Sequence, residues 1–346
     1  MKAIQKLKPG LGNISVVDIP EPAPEDDEVK IKVAYAGICG TDMAIYNGTK
    51  PTNPPLVMGH EFSGIITEVG KNVTGWKIGD RVISETTKLC CNDCDFCRTG
   101  QHSLCKKREA LGQQLDGVFA DYCTQKASFL HHLPSTISFR DAALSEPAAC
   151  AYHAVYELND IKPIDHCLVI GPGTIGLLVV QLLKALGAYV VVMGRKGTDS
   201  KLELARSLKA DYAFDASKAE ISKVLDEHTN GKGFDFVFEC SGSEAAIQSS
   251  FDLAKTSGTI VQVGIPPLTG VSIPSYSKVM LKELKVQGAI SQRYLNWDRV
   301  VELMERGLLN PEPLISHTFT LNQAQDAFDA KGKIKVLFEI HPELDV

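Results

Sequence analysis

The segment Cys167–Gly176 reads CLVIGPGTIG, and an apolar stretch, Leu177–Leu186, follows it. Four apolar residues in a row are typical of a parallel strand covered on both faces, and the stretch after them predicts a helix. The turn between the two has the spacing G-x-G-x-x-G, in which glycines allow a tight turn and a close approach of backbone to a pyrophosphate. The turn consists of Gly171, Pro172, Gly173, Thr174, Ile175 and Gly176. It predicts a dinucleotide-binding βαβ unit, with a purely structural glycine turn as the alternative.

Strands and helices continue to alternate after this turn. The predicted strands are Tyr189–Met193, Tyr212–Asp215, Phe234–Glu239 and Thr259–Gly264. This order predicts a doubly wound parallel α/β sheet, in which ligands bind outside the carboxyl ends of the strands. Loops at two of those ends are therefore expected to contact the cofactor, although ordinary turns would look the same. These loops contain Cys240, Ser241, Val263, Gly264 and Ile265.

The end of the second strand bears on the choice between NAD and NADP. An NAD site has an Asp or Glu at this position, but this chain has Gly194, followed by Arg195 and Lys196. The missing acid removes repulsion against a 2′-phosphate, and an arginine can bind that phosphate through two hydrogen bonds. The sequence favours NADP; the alternative is that Asp199 or Ser200 holds NAD while the two cations face solvent.

Residues 1 to 85 read as short strands separated by Gly and Pro, which predicts a β-rich domain. One strand runs into Cys39, and another begins just after His60 and Glu61. A thiolate, an imidazole and a carboxylate suit zinc better than calcium or magnesium. Because the two ligand groups are about twenty residues apart, they predict part of an open, catalytic site. The alternative is that Cys39 and His60 are ordinary core residues.

A second cysteine group has the closed spacing C-x2-C-x2-C-x7-C. It comprises Cys91, Cys94, Cys97 and Cys105. Four thiolates so close in sequence can surround one tetrahedral ion and leave no open position, which predicts a structural zinc site. Cys90 is a fifth thiol next to the group, and the spacing favours Cys91 as the ligand.

Glu146 precedes Pro147 within an otherwise apolar helical stretch that begins at a Ser138 cap. It is a candidate contact to metal or water, and a solvent-facing charge at a helix end is the alternative. The C-terminal strand Lys335–Ile340 is expected to fold back onto the first domain. The expected domains are 1–150 (catalytic, first part), 151–288 (dinucleotide-binding) and 289–346 (return to the catalytic domain).

The composition limits the possible classes of protein. A chain of 346 residues predicts two domains. Its net charge of −6 does not favour binding to nucleic acid or to an anionic membrane. We see no apolar run of transmembrane length and no apolar signal core at the N-terminus. Five of the ten cysteines lie between 90 and 105, which points to metal binding rather than to disulfides. We therefore predict a cytoplasmic protein that binds neither nucleic acid nor membranes.

These motifs together resemble the zinc-dependent medium-chain dehydrogenases over nearly the whole chain. The resemblance rests on the four cysteines of the closed group and on Gly37–Asp42, Gly59–Glu61, Glu146-Pro147 and Gly171–Gly176. It implies a GroES-like catalytic domain that is interrupted by a Rossmann domain and completed by the C-terminal segment. Within the family the chain looks most like the polyol branch, which includes sorbitol dehydrogenase.

The polyol branch also implies roles for individual residues. Cys39, His60 and Glu61 would hold the catalytic zinc, and Glu146 would contact it directly or through water; Cys150, one helical turn further on, is the rival ligand. By the same resemblance, the residues that would act on the substrate are Tyr46 and Arg293, which contact its hydroxyls, and Thr41, which relays its proton. The chain departs from many relatives in having Ala44 where they have a histidine, and in lacking an acid at Gly194.

The activity implied is reversible hydride transfer between a secondary hydroxyl of a polyol or sugar-like substrate and NADP, with one catalytic and one structural zinc per chain. By analogy with the polyol branch the protein would be a homotetramer. The alternatives are a dehydrogenase for a simple alcohol or a threonine-type amino alcohol and, more remotely, a non-catalytic zinc or redox sensor.

Overall fold

The computed structural model describes residues 1–267, 269–273 and 276–345. It divides into two compact units, residues 1–149 with 292–346 and residues 150–291. The strands are β1 (Lys2–Lys6), β2 (Ile14–Asp18), β3 (Glu28–Gly37), β4 (Leu56–Val57), β5 (Glu61–Val69), β6 (Arg81–Ser84), β7 (Thr87–Leu89), β8 (Glu109–Ala110), β9 (Tyr122–Lys126), β10 (Leu130–His132), β11 (His166–Ile170), β12 (Tyr189–Gly194), β13 (Tyr212–Asp215), β14 (Phe234–Glu239), β15 (Ala254–Gln262), β16 (Lys285–Gly288), β17 (Ile315–Phe319) and β18 (Lys335–Glu339). The α-helices are α1 (Gly40–Tyr46), α2 (Asp95–Arg98), α3 (Phe139–Ala142), α4 (Ser145–Tyr152), α5 (Thr174–Ala185), α6 (Asp199–Ser207), α7 (Ile221–Thr229), α8 (Glu244–Leu253), α9 (Ser277–Leu281), α10 (Tyr294–Glu305) and α11 (Ala324–Asp329).

The first unit is built on strand β3, which lies in the middle of its largest sheet. That sheet has the order β10-β6-β5-β3-β18-β17, and β9 pairs with the first half of β3. Val29, Ile31 and Val33 are fully buried and alternate along β3, so one face of the strand packs into the core. The C-terminal strand β18 pairs antiparallel with the last residues of β3, with Leu337 opposite Gly37. The end of the chain therefore lies beside the segment that leads to Cys39.

The second unit confirms the predicted doubly wound sheet. Its six strands are all parallel, in the order β13-β12-β11-β14-β15-β16. The order reverses between β11 and β14, and this switch point is where ligands bind in sheets of this type. Strand β15 begins at Ala254 and ends at Gln262, two residues before its predicted end. Val263, Gly264 and Ile265 therefore lie in the loop beyond the carboxyl edge of the sheet.

The predicted helix from Ser138 to Leu158 forms in three pieces. α3 begins after Ser138, whose hydroxyl accepts a hydrogen bond from the backbone N–H of Asp141 (3.0 Å). α4 follows, and a wider π-helical turn, His153–Glu157, ends the stretch. Glu146 lies in the first turn of α4.

None of the described helices combines the length and the apolar character that crossing a bilayer requires.

Candidate metal and dinucleotide sites

The register between β3 and β5 brings the first group of predicted metal ligands together. The two strands are antiparallel, and Gly37 at the end of β3 lies opposite Glu61 at the start of β5. Cys39 follows β3 as the N-cap of α1, and His60 precedes β5. As a result, one ligand atom from each of Cys39, His60 and Glu61 lies within 4.8 Å of the others. We call these three residues the open group.

Two glycines make room for the open group. A Cβ atom on Gly37 would lie 2.3 Å from Oε2 of Glu61, so any side chain there would displace the carboxylate. Gly59 has a φ of +89°, and a Cβ atom on it would lie 2.3 Å from the ring of Phe119. Both positions therefore require glycine, for space at Gly37 and for space and backbone conformation at Gly59.

Asp42 supports the open group, and the sequence reasoning gave it no role. Its carboxylate is fully buried and accepts hydrogen bonds from the backbone N–H groups of Cys39 (2.9 Å) and Gly59 (3.2 Å). Its Oδ1 atom lies 3.7 Å from Nδ1 of His60. Asp42 therefore holds both ligand-bearing segments and lies behind the imidazole, the position of the carboxylates that support metal-bound histidines. An acid in the first turn of α1, three residues after a ligand, was the available signal.

Lys335 is the second supporting residue that the sequence reasoning missed. Its ammonium group donates to Oε2 of Glu61 (2.6 Å) and to the carbonyl of Ile38 (3.0 Å), and both side chains of the ion pair are buried. Burial alone would lower the pKa of Lys335, but Glu61 and Cys39 outweigh burial and raise it. The pairing of β18 with β3 places Lys335 here, so the local sequence carries no signal for it.

Glu146 is buried rather than solvent-facing, with 8% of its surface exposed. Its charge raises the pKa values of both His60 and Lys335, so the carboxylate lies near the open group. It is not among the three residues whose ligand atoms lie within 4.8 Å of one another. Cys150, the rival ligand, is half-buried one turn further along the same helix.

The chemistry of the open group fits a divalent zinc ion. Burial alone would lower the pKa of His60, but the negative charges of Asp42 and Cys39 outweigh burial and raise it to about 10. The surplus of negative charge therefore favours a cation, and bound zinc would take that place and leave His60 neutral. Sulfur, nitrogen and oxygen donors together match a catalytic zinc site.

The four-cysteine group is also assembled, and we call it the closed group. The sulfur–sulfur distances are 3.5 Å from Cys105 to Cys91, 3.6 Å from Cys94 to Cys97 and 3.8 Å from Cys91 to Cys97. Zinc–sulfur bonds of about 2.3 Å in a tetrahedron give sulfur–sulfur distances of about 3.8 Å, so the geometry fits zinc. Backbone N–H groups of Asp93 and Cys94 lower the pKa of Cys91 to about 6, which favours its thiolate. These four residues, without Cys90, form the group.

Tyr46, one of the residues expected to act on the substrate, is buried among residues of the first unit. Its hydroxyl donates to Oδ1 of Asp329 (3.0 Å) and accepts from Nε2 of Gln325 (2.6 Å). Its ring is buried and stacks on Phe328, with ring centres 4.9 Å apart. α1 turns this side chain toward the core, and the substrate contact of Tyr46 stays a prediction.

Thr41 and Arg293 remain candidates for contact with the substrate. Thr41 is half-buried in the first turn of α1, which begins at the open group. Arg293 is half-buried at the N-cap of α10, where its backbone N–H donates to Oδ1 of Asn296 (2.6 Å).

The glycine-rich turn follows β11 at the carboxyl edge of the second unit, as predicted. Gly171 has a φ of +97°, and a Cβ atom on it would lie 2.9 Å from Cβ of Ser241. A Cβ atom on Gly176 would lie 2.1 Å from the carbonyl oxygen of Gly171, so this glycine allows α5 to pack against the strand end. α5 begins after Gly173, which places the helix N-terminus at the turn, the usual position for a phosphate.

Glu239 connects the loops of this edge, and the sequence reasoning missed it. Its fully buried carboxylate accepts hydrogen bonds from the N–H of Ser241 (2.8 Å), the N–H of Gly242 (2.9 Å) and Nε2 of Gln262 (2.6 Å). Its backbone carbonyl accepts from the N–H groups of Val263 (2.9 Å) and Gly264 (2.8 Å). Glu239 therefore fixes the two loops that were expected to contact the cofactor.

Gly194 ends β12, and Arg195 and Lys196 follow it on the surface. A Cβ atom on Gly194 would lie 2.3 Å from Oγ1 of Thr198, so a carboxylate here would require that side chain to move. The alternative ligand Asp199 forms an ion pair with Lys218 (2.7 Å), while Ser200 is exposed.

Comparison with known proteins places the chain in a family. Residues 25–135 match the alcohol dehydrogenase GroES-like domain, and residues 174–306 match the zinc-binding dehydrogenase domain. The chain is 39% identical to sorbitol dehydrogenase of Halalkalibacterium halodurans, over 95% of this chain and 96% of that protein. It is 38% identical to D-arabitol-phosphate dehydrogenase of Enterococcus avium (99% and 98% covered) and 36% identical to L-threonine 3-dehydrogenase of Bacillus velezensis (96% and 96% covered).

Solved structures agree with this placement. A zinc-binding dehydrogenase from Sinorhizobium meliloti bound to NADP is similar with a TM-score of 0.90 and 32% identity, covering 98% of each chain. Galactitol-1-phosphate dehydrogenase from Escherichia coli has a TM-score of 0.88 and 29% identity, covering 98% of this chain and all of that one. The resemblance seen in the motifs is therefore confirmed: this chain belongs to the zinc-binding dehydrogenase family with a GroES-like domain, and it is an oxidoreductase.

Proposed function

We propose that this protein oxidises a secondary hydroxyl of a polyol or sugar-like substrate reversibly, with NADP as the hydride acceptor. The observation that carries the proposal is the open group, a thiolate, an imidazole and a carboxylate within 4.8 Å. Relatives named for a free polyol and for polyol phosphates support the substrate class. They leave open whether the substrate is phosphorylated.

Two zinc ions per chain fit the two ligand groups. Cys39 and His60 would hold the catalytic ion together with Glu146 or Glu61, and the closed group would hold the structural ion. A zinc ion in the open group supplies Lewis-acid stabilisation of the alkoxide form of the substrate. Lys335 engages Oε2 of Glu61 in the buried ion pair described above.

The protein's own residues then position the substrate and move its proton. Asp42 fixes the orientation of the His60 ring through the contact described above. The hydroxyl of Thr41 is the candidate for relaying the substrate proton, which it would pass on to water or the cofactor ribose, because Ala44 offers no imidazole for the relay. Arg293 is the candidate for orienting neighbouring substrate hydroxyls.

NADP is favoured because Gly194 carries no carboxylate that would repel a 2′-phosphate, and because Arg195 and Lys196 offer positive charge at the end of β12. A bound cofactor would supply the nicotinamide ring that takes up the hydride from the substrate carbon. The loops held by Glu239 would contact this cofactor through their backbone. We expect Arg195→Ala to raise the KM for NADP about tenfold or more while changing that for NAD little, because only NADP carries the 2′-phosphate.

A second candidate is oxidation of an amino alcohol, because relatives with 33% to 36% identity are L-threonine 3-dehydrogenases. Polyols are favoured by the somewhat higher identity of the polyol relatives. The homotetramer and the cytoplasmic location remain proposals drawn by analogy and from the composition.

The test is a turnover screen of the zinc-loaded enzyme. Pentitols, hexitols, sugar acids, simple alcohols and L-threonine are each offered with NADP and with NAD, with and without a chelator. We expect turnover of polyols with NADP that a chelator abolishes. Turnover of L-threonine alone, or activity that survives complete removal of zinc, would overturn the proposal.

A further inference from the structure

Two cations and an amide lie on segments that flank the open group, and neither ligand group includes them. They are Lys50, Arg108 and Gln113, which we call the cationic cluster. Nζ of Lys50 donates to Oε1 of Gln113 (2.5 Å). Arg108 donates from Nη2 to the hydroxyl of Thr86 (2.6 Å) and from Nε to that of Thr87 (2.9 Å). Its guanidinium is therefore held on the β7 side of the cluster.

Backbone contacts join the cluster to the segments that carry the metal ligands. The N–H of Lys50 donates to the carbonyl of Ala44 (3.1 Å) in α1, the helix that begins after Cys39. On the other side, Gly112 precedes Gln113 and packs on Gly59, since a Cβ atom on Gly112 would lie 2.3 Å from the carbonyl oxygen of Gly59. Gly59 immediately precedes His60. The cluster is thus attached to both sides of the open group, within the first unit.

The electrostatics of the cluster favour an added anion. Burial lowers the pKa of Lys50; the negative charges of Cys39 and Asp42 oppose this effect, while the positive charge of Arg108 adds to it. Among the residues that the structure describes, no carboxylate lies within 4.0 Å of the Lys50 ammonium group, and its hydrogen-bond partner is a neutral amide. Two neighbouring cations at a half-buried site repel each other, and a bound anion would relieve this repulsion.

On the basis of the proposed function, we propose that the substrate is a polyol phosphate, and that Lys50, Arg108 and Gln113 bind its phosphate monoester while the open group acts on a hydroxyl of the same molecule. A phosphate monoester carries a charge of about −1.5 to −2 at pH 7, which matches two cations better than a single carboxylate does. Arginine can bind two phosphate oxygens, and the lysine ammonium and the Gln113 amide can donate to others.

The kinetic test compares each polyol with its own phosphate. A pentitol and a hexitol, each free and as the terminal phosphate, and an aldonate are offered to the zinc-loaded full chain at saturating NADP. We expect kcat/KM to be about a hundredfold higher for the phosphates than for the free polyols, since two charge-assisted contacts are gained. We expect Lys50→Met to reduce this preference about tenfold, mainly through KM, and Lys50→Arg to retain most of it.

Control variants separate this effect from general damage. Lys71→Met removes an exposed lysine of the same unit, which pairs with Asp26 (2.8 Å), and should leave the preference unchanged. Lys50→Gln serves as a second variant if the methionine variant folds poorly, and zinc content is measured for each. A preference for phosphates that is unchanged in Lys50→Met and in Lys50→Gln would overturn the inference. A higher kcat/KM for the aldonate than for every phosphate would overturn it as well.

A binding measurement distinguishes failure of this inference from failure of the proposed function. Inorganic phosphate is titrated calorimetrically into the zinc-loaded enzyme at saturating NADP, which occupies the 2′-phosphate site near Arg195. We expect binding that Lys50→Met weakens about tenfold or more. Turnover of free polyols without phosphate binding would overturn this inference alone. Phosphate binding that depends on Lys50, without turnover of any polyol, would instead overturn the proposed function and the polyol part of this inference.

Discussion

The open and closed groups are both predicted zinc sites in the first unit, but they are assembled in different ways. The four cysteines of the closed group lie within 15 residues, so a short loop brings their sulfur atoms together. The open group combines Cys39 with His60 and Glu61, about twenty residues later, and relies on the pairing of β3 with β5. It also needs Lys335 from the far end of the chain. Local spacing can therefore build a closed structural site, whereas the open group needs the register of a sheet.

The largest effect is expected at the open group. Cys39→Ala removes its only thiolate, and we expect kcat/KM to fall at least about 10³-fold, which corresponds to about 4 kcal/mol of lost transition-state stabilisation. Metal analysis should find one zinc fewer per chain, with the closed group still loaded. Unchanged activity would mean that the open group is not the reaction centre.

Removal of the distant support should affect stability. Lys335→Met leaves the buried carboxylate of Glu61 without its ammonium partner, and breaking such a pair costs about 3–5 kcal/mol of unfolding free energy. Chemical denaturation of the zinc-loaded protein measures this loss. Lys71→Met is the matched control, because its ion pair is exposed and is worth less than about 1 kcal/mol. If Lys335→Met lost as little unfolding free energy as Lys71→Met, the open group would not depend on Lys335.

At the closed group we expect a loss of metal and stability with less effect on the chemistry. Cys97→Ser leaves three thiolates, so the structural zinc should be lost and the free energy of unfolding should fall by about 2 kcal/mol or more. Zinc content, urea denaturation and kcat of the folded fraction measure the three quantities. Loss of kcat as large as that of Cys39→Ala would show that the two groups are not independent.

The smallest effect is expected at Cys90, the fifth thiol. Its sulfur donates to Oδ1 of Asn92 (2.9 Å) and it is not part of the closed group. Cys90→Ser should change the free energy of unfolding by less than about 0.5 kcal/mol and leave the zinc content unchanged. Loss of one zinc in this variant would mean that Cys90 is a ligand of the structural zinc ion.

The fold was largely predictable, because its signals are local and repeat along the chain. The apolar strand before Gly171, the glycine spacing and the alternation of strands and helices all recur in the observed sheet. For Tyr46 the resemblance implied a substrate contact, but only the structure shows that its ring stacks on Phe328 and that its hydroxyl donates to Asp329. Lys50 shows the converse, because no motif marks it and only its neighbours give it significance.

Taken alone, the sequence determined the family and the doubly wound sheet and indicated the side chains of the open and closed groups, because these depend on residue type and on short spacings. Only the tertiary structure decided which charges surround the open group. Asp42 lies 3.7 Å from Nδ1 of His60. Lys335 pairs with Glu61 because β18, from the end of the chain, pairs with β3. Burial where these strands pair strengthens each charge interaction. Neither the strand pairing nor the burial can be predicted from residues that are neighbours in sequence.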